Sequence, residues 1–527
     1  MSSPAVAASP AANPDSAHKW LVAITVLTGT IMAVLDASII NVALPSMTGT
    51  LGASVEEITW VVTGYILAQV ILMPITGMLS LRFGRKNVLM FSVASFTVAS
   101  MLCGLARSLP LMVAFRVLQG IGGGALITIP QAIMRETFPP EEQGMAMGLY
   151  GMGVVLAPAI GPTLGGWLTD NYSWPWIFYI NVPVGIINLL LVTRFIHDPP
   201  YLQRVKGRID WEGLALLTVG LGALQLMLEQ GERHDWFESS LVVWLCIIAI
   251  VGLILFVWRE LVAAKPAVEL HVLKDPSFTS ATILGGVLGM GLMGSLFLLP
   301  LFLQQLLGYT AMASGIALMP RSLAMAVVMP VGGRFYNRFG PKTFVGAGLA
   351  ISAGSFYWLS HLTAQVGFWD IFWPQLWQGV GFSLIFLALS TAALANVPRP
   401  LMTQASGLYN VVRQIFGSIG IALAASQLTR GISHYHAILQ QDITATDPTA
   451  LAFLRNVTAG MIRNGADQFT AHLRALKILD GTILREASVA AYNHVFALVT
   501  VLFVLAIPFV YYLRSASGEV EMEVMVD

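Results

Sequence analysis

Charge is what this sequence has least of. Aspartate, glutamate, lysine and arginine make up 11% of its 527 residues, against 56% hydrophobic. Water-soluble domains carry about 25% charged residues, so a soluble globule is excluded and lipid must solvate most of the chain. The 28 basic and 28 acidic residues cancel, which leaves no positive excess for a nucleic-acid partner. There are only two cysteines, Cys103 and Cys246, each inside an apolar run. There a thiol packs as a small core residue and makes neither a disulfide nor a metal site. No Cys/His cluster has metal-ligand spacing, and no nucleophile–base–orienter set or phosphate loop is visible, so neither an enzyme nor a cofactor is expected. The first 18 residues lack a basic segment followed by an apolar core. They read as a disordered tail, not a signal peptide.

Long apolar runs are abundant. They fall at about 20–45, 57–80, 87–106, 109–131, 144–168, 175–196, 210–230, 239–260, 277–303, 311–334, 343–363, 369–394, 404–429 and 489–513. Each is long enough to cross a bilayer, and a run in lipid must satisfy its backbone internally, which makes it a helix. The expectation is an all-α membrane protein of fourteen spans. With the N-terminus in the cytoplasm, the inside loops hold Arg82, Arg85 and Lys86, then Arg135, then Arg204, Lys206 and Arg208. Arg259, Lys265 and Lys274, then Arg334, Arg338 and Lys342, and finally Arg399 also fall inside, while the short outside loops hold only Arg107 and Arg233. That bias sets the orientation, with both termini in the cytoplasm.

The chain repeats itself. Pro74, Gly77, Arg82, Phe83, Gly84 and Lys86 recur as Pro330, Gly333, Arg338, Phe339, Gly340 and Lys342, and Gln119-Gly120 recurs as Gln378-Gly379. Both copies face one side, which implies two parallel six-helix bundles about an axis along the membrane normal. The expected units are a tail at 1–18, a first bundle at 19–200 and two inserted helices at 201–265. A second bundle follows at 266–514, with an outer loop at 430–488, and a tail closes the chain at 515–527.

Five segments in order carry a resemblance: Leu35–Pro45 with Asp36; Gly77–Lys86; Arg116–Gly120; Ala157–Gly166 with Pro158, Gly161, Pro162, Gly165 and Gly166; and Trp176–Pro183. The sequence resembles the major facilitator superfamily, and most of all its fourteen-helix drug:proton antiporter branch of EmrB/QacA-type multidrug exporters. The resemblance implies export of lipophilic drugs from the cytoplasm or inner leaflet, driven by the proton gradient in a bacterial inner membrane. It also implies a periplasmic adaptor (a membrane fusion protein) and an outer-membrane channel as partners. A metabolite exporter and a proton symporter are the alternatives, and the Ala157–Gly166 motif argues against the symporter. One departure stands out: the acid that commonly precedes the first arginine of the Gly77–Lys86 motif is Leu81 here and Asn337 in the repeat.

Ionisable groups inside a bilayer are functional candidates. Asp36 lies about 24 Å up from the start of its helix and Arg116 about 10 Å below the outer face, at 1.5 Å per residue. The two depths agree, so the pair can meet. Burial favours a neutral acid and a guanidinium favours a carboxylate, so such a pair can exchange a proton near neutral pH. Together with the resemblance this assigns proton coupling to Asp36 and Arg116, against a static ion pair. An offset of 256 from Asp36 falls at Gly291–Leu292, so the second half has no equivalent acid. Arg321 and Arg413, about 15 Å and 13 Å into their helices, line water, bond helix carbonyls or contact an anionic substrate.

Tyr65, Gln69, Gln119, Asn188, Gln378, Asn410, Arg413 and Gln414 are cavity candidates, against a role as interhelical glue. Gly153, Pro158, Gly161, Pro162, Gly165 and Gly166 suit a tight, bent seam between moving halves. Gly77, Arg82, Gly84, Arg85, Lys86 and Arg338 are candidates for a cytoplasmic gate, against plain topology signals. Glu229 and Glu232 read as interfacial. In the outer loop, Leu451, Leu454, Val457 and Met461, then Phe469, Leu473 and Leu476, predict one or two amphipathic surface helices, for an adaptor or for capping the bundle.

Overall fold

The computed structural model describes residues 14–199, 210–263, 266–443 and 447–514. Arg204, Lys206, Arg208 and Lys265, and the tail at 515–527, lie outside them. The expected tail at 1–18 is cut short, because helix already begins at Pro14.

Among the described residues thirteen helices are long and apolar enough to cross a membrane. One of them, Ala311–Leu359, is double: Gly340 (φ 72°, ψ 168°) interrupts it ahead of Pro341, so the spans number fourteen. The first bundle is α1 (Pro14–Leu51), α2 (Trp60–Phe83), α3 (Arg85–Leu105), α4 (Leu109–Thr137), α5 (Gln143–Asn171) and α6 (Asn181–Phe195). The inserted pair is α7 (Trp211–Gln230) and α8 (Ser240–Val262). The second bundle is α9 (Pro276–Leu301), α10 (311–339), α11 (341–359), α12 (Phe368–Ala392) and α13 (Met402–Asp442), closed by α15 (Gln468–Ala506). Between the last two lies a short helix, α14 (Pro448–Arg463).

The repeat has a backbone signature. Gly84 (φ 89°) ends α2 and Gly340 ends α10, both in the left-handed region that only glycine enters freely. At this end of the bundle lie Arg82, Arg85, Lys86, Arg338 and Lys342, so it is called the basic end below.

The outer segment corrects one expectation. Residues 430–488 are mostly not loop: α13 runs on to Asp442, and α15 starts at Gln468 and continues unbroken into its span. Asp467 caps α15 by accepting from the Phe469 and Thr470 amides. α14 matches the first predicted surface helix and packs on α15, with Leu454, Val457 and Met461 half-buried. The second predicted surface helix is the first part of α15, where Phe469, Leu473 and Leu476 are exposed.

The halves approach most closely toward the basic end. A Cβ on Gly77 of α2 would stand 2.6 Å from Gln404 Cα of α13, and one on Gly407 of α13 would stand 2.5 Å from the Met73 carbonyl oxygen. On the opposite seam, a Cβ on Gly144 of α5 would stand 2.6 Å from the Gly333 oxygen of α10, and one on Gly148 2.5 Å from the Met329 oxygen. Ordinary Cβ contacts are looser, so both seams require glycine. The inserted pair straddles the halves: Gln225 of α7 donates to Ser418 of α13 (2.9 Å), and Arg233 donates to Thr59 ahead of α2 (2.8 Å).

Candidate functional site: a buried carboxylate held by four helices

Asp36 on α1 and Arg116 on α4 meet, as their matching depths predict. Both side chains are fully buried, and Arg116 Nη1 lies 2.5 Å from Asp36 Oδ2. The other carboxylate oxygen, Oδ1, accepts from Gln119 Nε2 of α4 and from Asn181 Nδ2 of α6, each at 2.8 Å. Arg116 is itself fixed: Nε donates to the Val61 carbonyl (3.0 Å), Nη1 also donates to Gln119 Oε1 (2.7 Å), and the guanidinium lies 4.2 Å over the Tyr65 ring of α2. Asn181 is braced by Ser100 of α3 at 3.0 Å.

This arrangement makes the charge state of Asp36 a structural variable. As a carboxylate it offers acceptors to three donors. Three of its four lone-pair sites are filled, so a proton on Oδ1 would displace Gln119 or Asn181, and a proton on Oδ2 would remove the charge that holds Arg116. Those donors sit on α4 and α6.

The remaining candidates divide. Tyr65, Gln69 and Gln119 belong to the Asp36 cluster: Gln69 Nε2 donates to the Tyr65 hydroxyl, and that hydroxyl donates to the Ala33 carbonyl, each at 3.1 Å. Asn188 holds α6 to α1 through the Thr25 carbonyl (2.6 Å). Asn410 lies at the meeting of the halves, donating to Gln131 Oε1 of α4 (2.6 Å), to which Ser406 of α13 also donates (2.9 Å). Gln378 joins Arg321 (3.3 Å) in the second half. Arg413 lies 5.1 Å over the Phe386 ring and 5.9 Å over the Tyr409 ring, and Gln414 is half-buried.

The glycine motif of α5 packs elsewhere than expected. Gly161 and Gly165 press on Ser38 and Ile39 of α1, and Gly153 faces Ile31 and Leu27 of α1. Gly166 makes only loose contact with Val42 of α1, at 3.7 Å. Pro158 and Pro162 lie in the same stretch of α5. From Gly153 on the motif is therefore a seam inside the first half, and the contact between halves uses Gly144, Gly148 and Gly151, the last facing Met329 and Phe386.

At the basic end, Arg85 pairs with Glu136 and donates to the Arg399 carbonyl of the other half (3.2 Å). Lys86 bonds Thr193 and Asp198 within its own half. Arg82 and Arg338 lie over Phe83 and Phe339. Asn337, which stands where related motifs carry an acid, crosses to the Pro140 and Glu141 carbonyls (3.2 and 2.7 Å).

The family model described as Major Facilitator Superfamily matches residues 26–421. The chain belongs to this superfamily. It is 35% identical over 480 residues to the fatty acid resistance protein FarB of Neisseria gonorrhoeae, covering 91% of this chain and 93% of that one. It is 32% identical over 507 residues to the multidrug export protein EmrB of Escherichia coli strain K12, covering 96% and 97%. The structure also superposes on the crystal structure of the human organic anion transporter MFSD10 (TETRAN), with TM-score 0.64, 14% identity and coverage of 95% and 100%. At that identity the likeness concerns the fold alone. This superfamily member is a multi-pass membrane transporter of the EmrB-like type.

Sequence reasoning missed Asn181, Ser100, Gln131 and Ser406. Asn181 stood inside the segment Trp176–Pro183, and that position was its only signal.

Proposed function

We propose that this chain is a proton-coupled antiporter that exports lipophilic compounds from the cytoplasm or inner leaflet by alternating access. The observation that carries the reading is Asp36: a fully buried carboxylate whose two oxygens serve three donors on two other helices, so that a proton either displaces one of them or removes the charge that holds Arg116. The printed names of FarB and EmrB, a fatty acid resistance protein and a multidrug exporter, support the substrate class. With the basic end in the cytoplasm, the arrangement described here is closed inside and releases substrate outward. Closure is made by the glycine seams, the Gln131–Asn410–Ser406 knot and the Asn337 crossing. In the cycle, a proton entering from outside neutralises Asp36, frees Arg116 and lets the seams part. Substrate then enters from the inside and the proton leaves. A periplasmic adaptor joined to an outer-membrane channel would meet the uncovered Phe469, Leu473 and Leu476 stripe on α15.

The test uses everted vesicles, whose lumen corresponds to the outside. An imposed acid-inside gradient should drive a lipophilic fluorescent substrate into the lumen, with protons moving out. Accumulation that ignores the gradient, or that follows a gradient of the opposite sign, overturns the reading.

A further inference from the structure

The second half holds a buried cation without a counter-ion. Arg321 on α10 is 3% exposed. Its Nη1 donates to Ser295 Oγ of α9 (2.7 Å) and Gln378 Oε1 of α12 (3.3 Å), both neutral. Among the described residues no carboxylate forms an ion pair with it. A guanidinium in a membrane interior is costly, and neutral acceptors offset only part of that cost.

The neighbouring amide sharpens the point. Gln378 Oε1 faces Arg321, Ser295 (3.5 Å) and Gln375 Nε2 (3.4 Å), so its Nε2 is turned away from them. That buried nitrogen has no acceptor. Gln375 Oε1 is unpaired as well, so the cluster has both a spare donor and a spare acceptor, and the arginine's charge decides the sign of what it attracts.

The first half shows what such a cluster takes. Ser295 follows Asp36 by the same interval that separates Gln378 from Gln119. In the first half an arginine and a glutamine converge on the Asp36 carboxylate. In the second half an arginine and a glutamine converge on a hydroxyl. Arg413, held between aromatic rings, adds a second positive charge to this half.

Building on the export reading above, we infer that Arg321, Ser295 and Gln378 bind the carboxylate head of an amphiphilic substrate, whose tail lies in the apolar bundle. The substrate's carboxylate takes the part that Asp36 plays in the first half.

Equilibrium binding to the purified full-length protein at pH 8 tests this without a proton gradient, so the result does not depend on whether the pump is proton-driven. Dodecanoate is compared with dodecanol. The wild type should prefer dodecanoate by about tenfold, the worth of a charge-assisted hydrogen bond of about 1.5 kcal/mol or more. Arg321→Gln should abolish the preference. Ser295→Asp should abolish it as well, because it supplies an internal carboxylate while keeping the arginine, and it carries the test should Arg321→Gln fail to fold. A wild type without preference, or a preference that survives both substitutions, overturns the proposal. So does chloride that raises the melting temperature of the wild type and not of Arg321→Gln, without displacing dodecanoate. That outcome would assign the cluster to a free halide.

Discussion

Asp36→Asn exchanges one atom and removes one charge. Oδ1 of Asp36 serves Gln119 and Asn181, and Oδ2 serves Arg116. An asparagine can turn its oxygen to one side only. Facing Gln119 and Asn181, it aims an N–H at Arg116. Facing Arg116, it aims one at two amide donors. Arg116 stays buried in either case, held by the Val61 and Gln119 oxygens and the Tyr65 ring. Those contacts exist in both proteins and cancel in the comparison. Removing one member of a buried pair costs about 3–5 kcal/mol, and the hydrogen bonds asparagine keeps place this case near about 3 kcal/mol. Adding Arg116→Met should recover part of that loss, because the stranded cation is gone; a double-mutant cycle on thermal melting reads the interaction. In everted vesicles, gradient-driven accumulation by Asp36→Asn should fall to the level seen without a gradient, with the double variant equally inactive. Wild-type accumulation by Asp36→Asn would refute proton coupling at this residue. Wild-type melting would refute the energetic account of the pair.

Other outcomes follow from the same geometry. Gly148→Val puts a Cβ 2.5 Å from the Met329 oxygen, an overpacking of about 1–3 kcal/mol; labelling of a cysteine introduced at Asn337, at the basic end, should rise as the seam opens. Asn181→Ala removes one of the two donors to Asp36 Oδ1, a charge-assisted bond worth about 1.5–3 kcal/mol, and should lower the melting temperature and shift the pH profile of efflux. Asn188→Ala should lower melting alone, since Asn188 bonds a backbone oxygen far from the carboxylate. Hydrogen bonds from Thr470 and neighbouring amides hold the Asp467 carboxyl below its ordinary range. A depressed value means that its capping stability is complete above about pH 4 and lost as pH falls through the lowered value. Hydrogen exchange at Phe469 and Thr470 should therefore speed up only in strong acid, and at neutral pH in Asp467→Ala.

The number of spans and the Asp36–Arg116 meeting were legible because each rests on length or depth, which a 1.5 Å rise converts directly, and the duplicated halves because their motifs recur at a near-constant interval. Rotation about the helix axis was not legible. Lipid and protein interior are equally apolar, so hydropathy cannot tell the face of α5 that meets α10 from the face that meets α1. Gly148 and Gly153 look alike in the sequence and serve different seams. The same blindness hid Asn181, whose value lies in facing Asp36. The interval of the loop motif sets the counterpart of Asp36 at Gly291–Leu292. The interval between the glutamines points to Ser295, which makes the second half three residues shorter than the first ahead of the loop motif and three residues longer behind it. The early start of α15 was hidden because a helix can change its composition from polar to apolar without any break in its backbone.

The inserted hairpin gives the two-body transporter a third body. Gln225 reaches α13 in one half and Arg233 reaches the entry to α2 in the other, so any rotation of the halves apart would leave the hairpin riding with only one of them. Each link is a hydrogen bond worth about 1 kcal/mol, weak enough to break every cycle and strong enough to bias which half carries the passenger. In an alternating-access cycle such a passenger would make the two strokes unequal, even in a chain whose halves were otherwise identical.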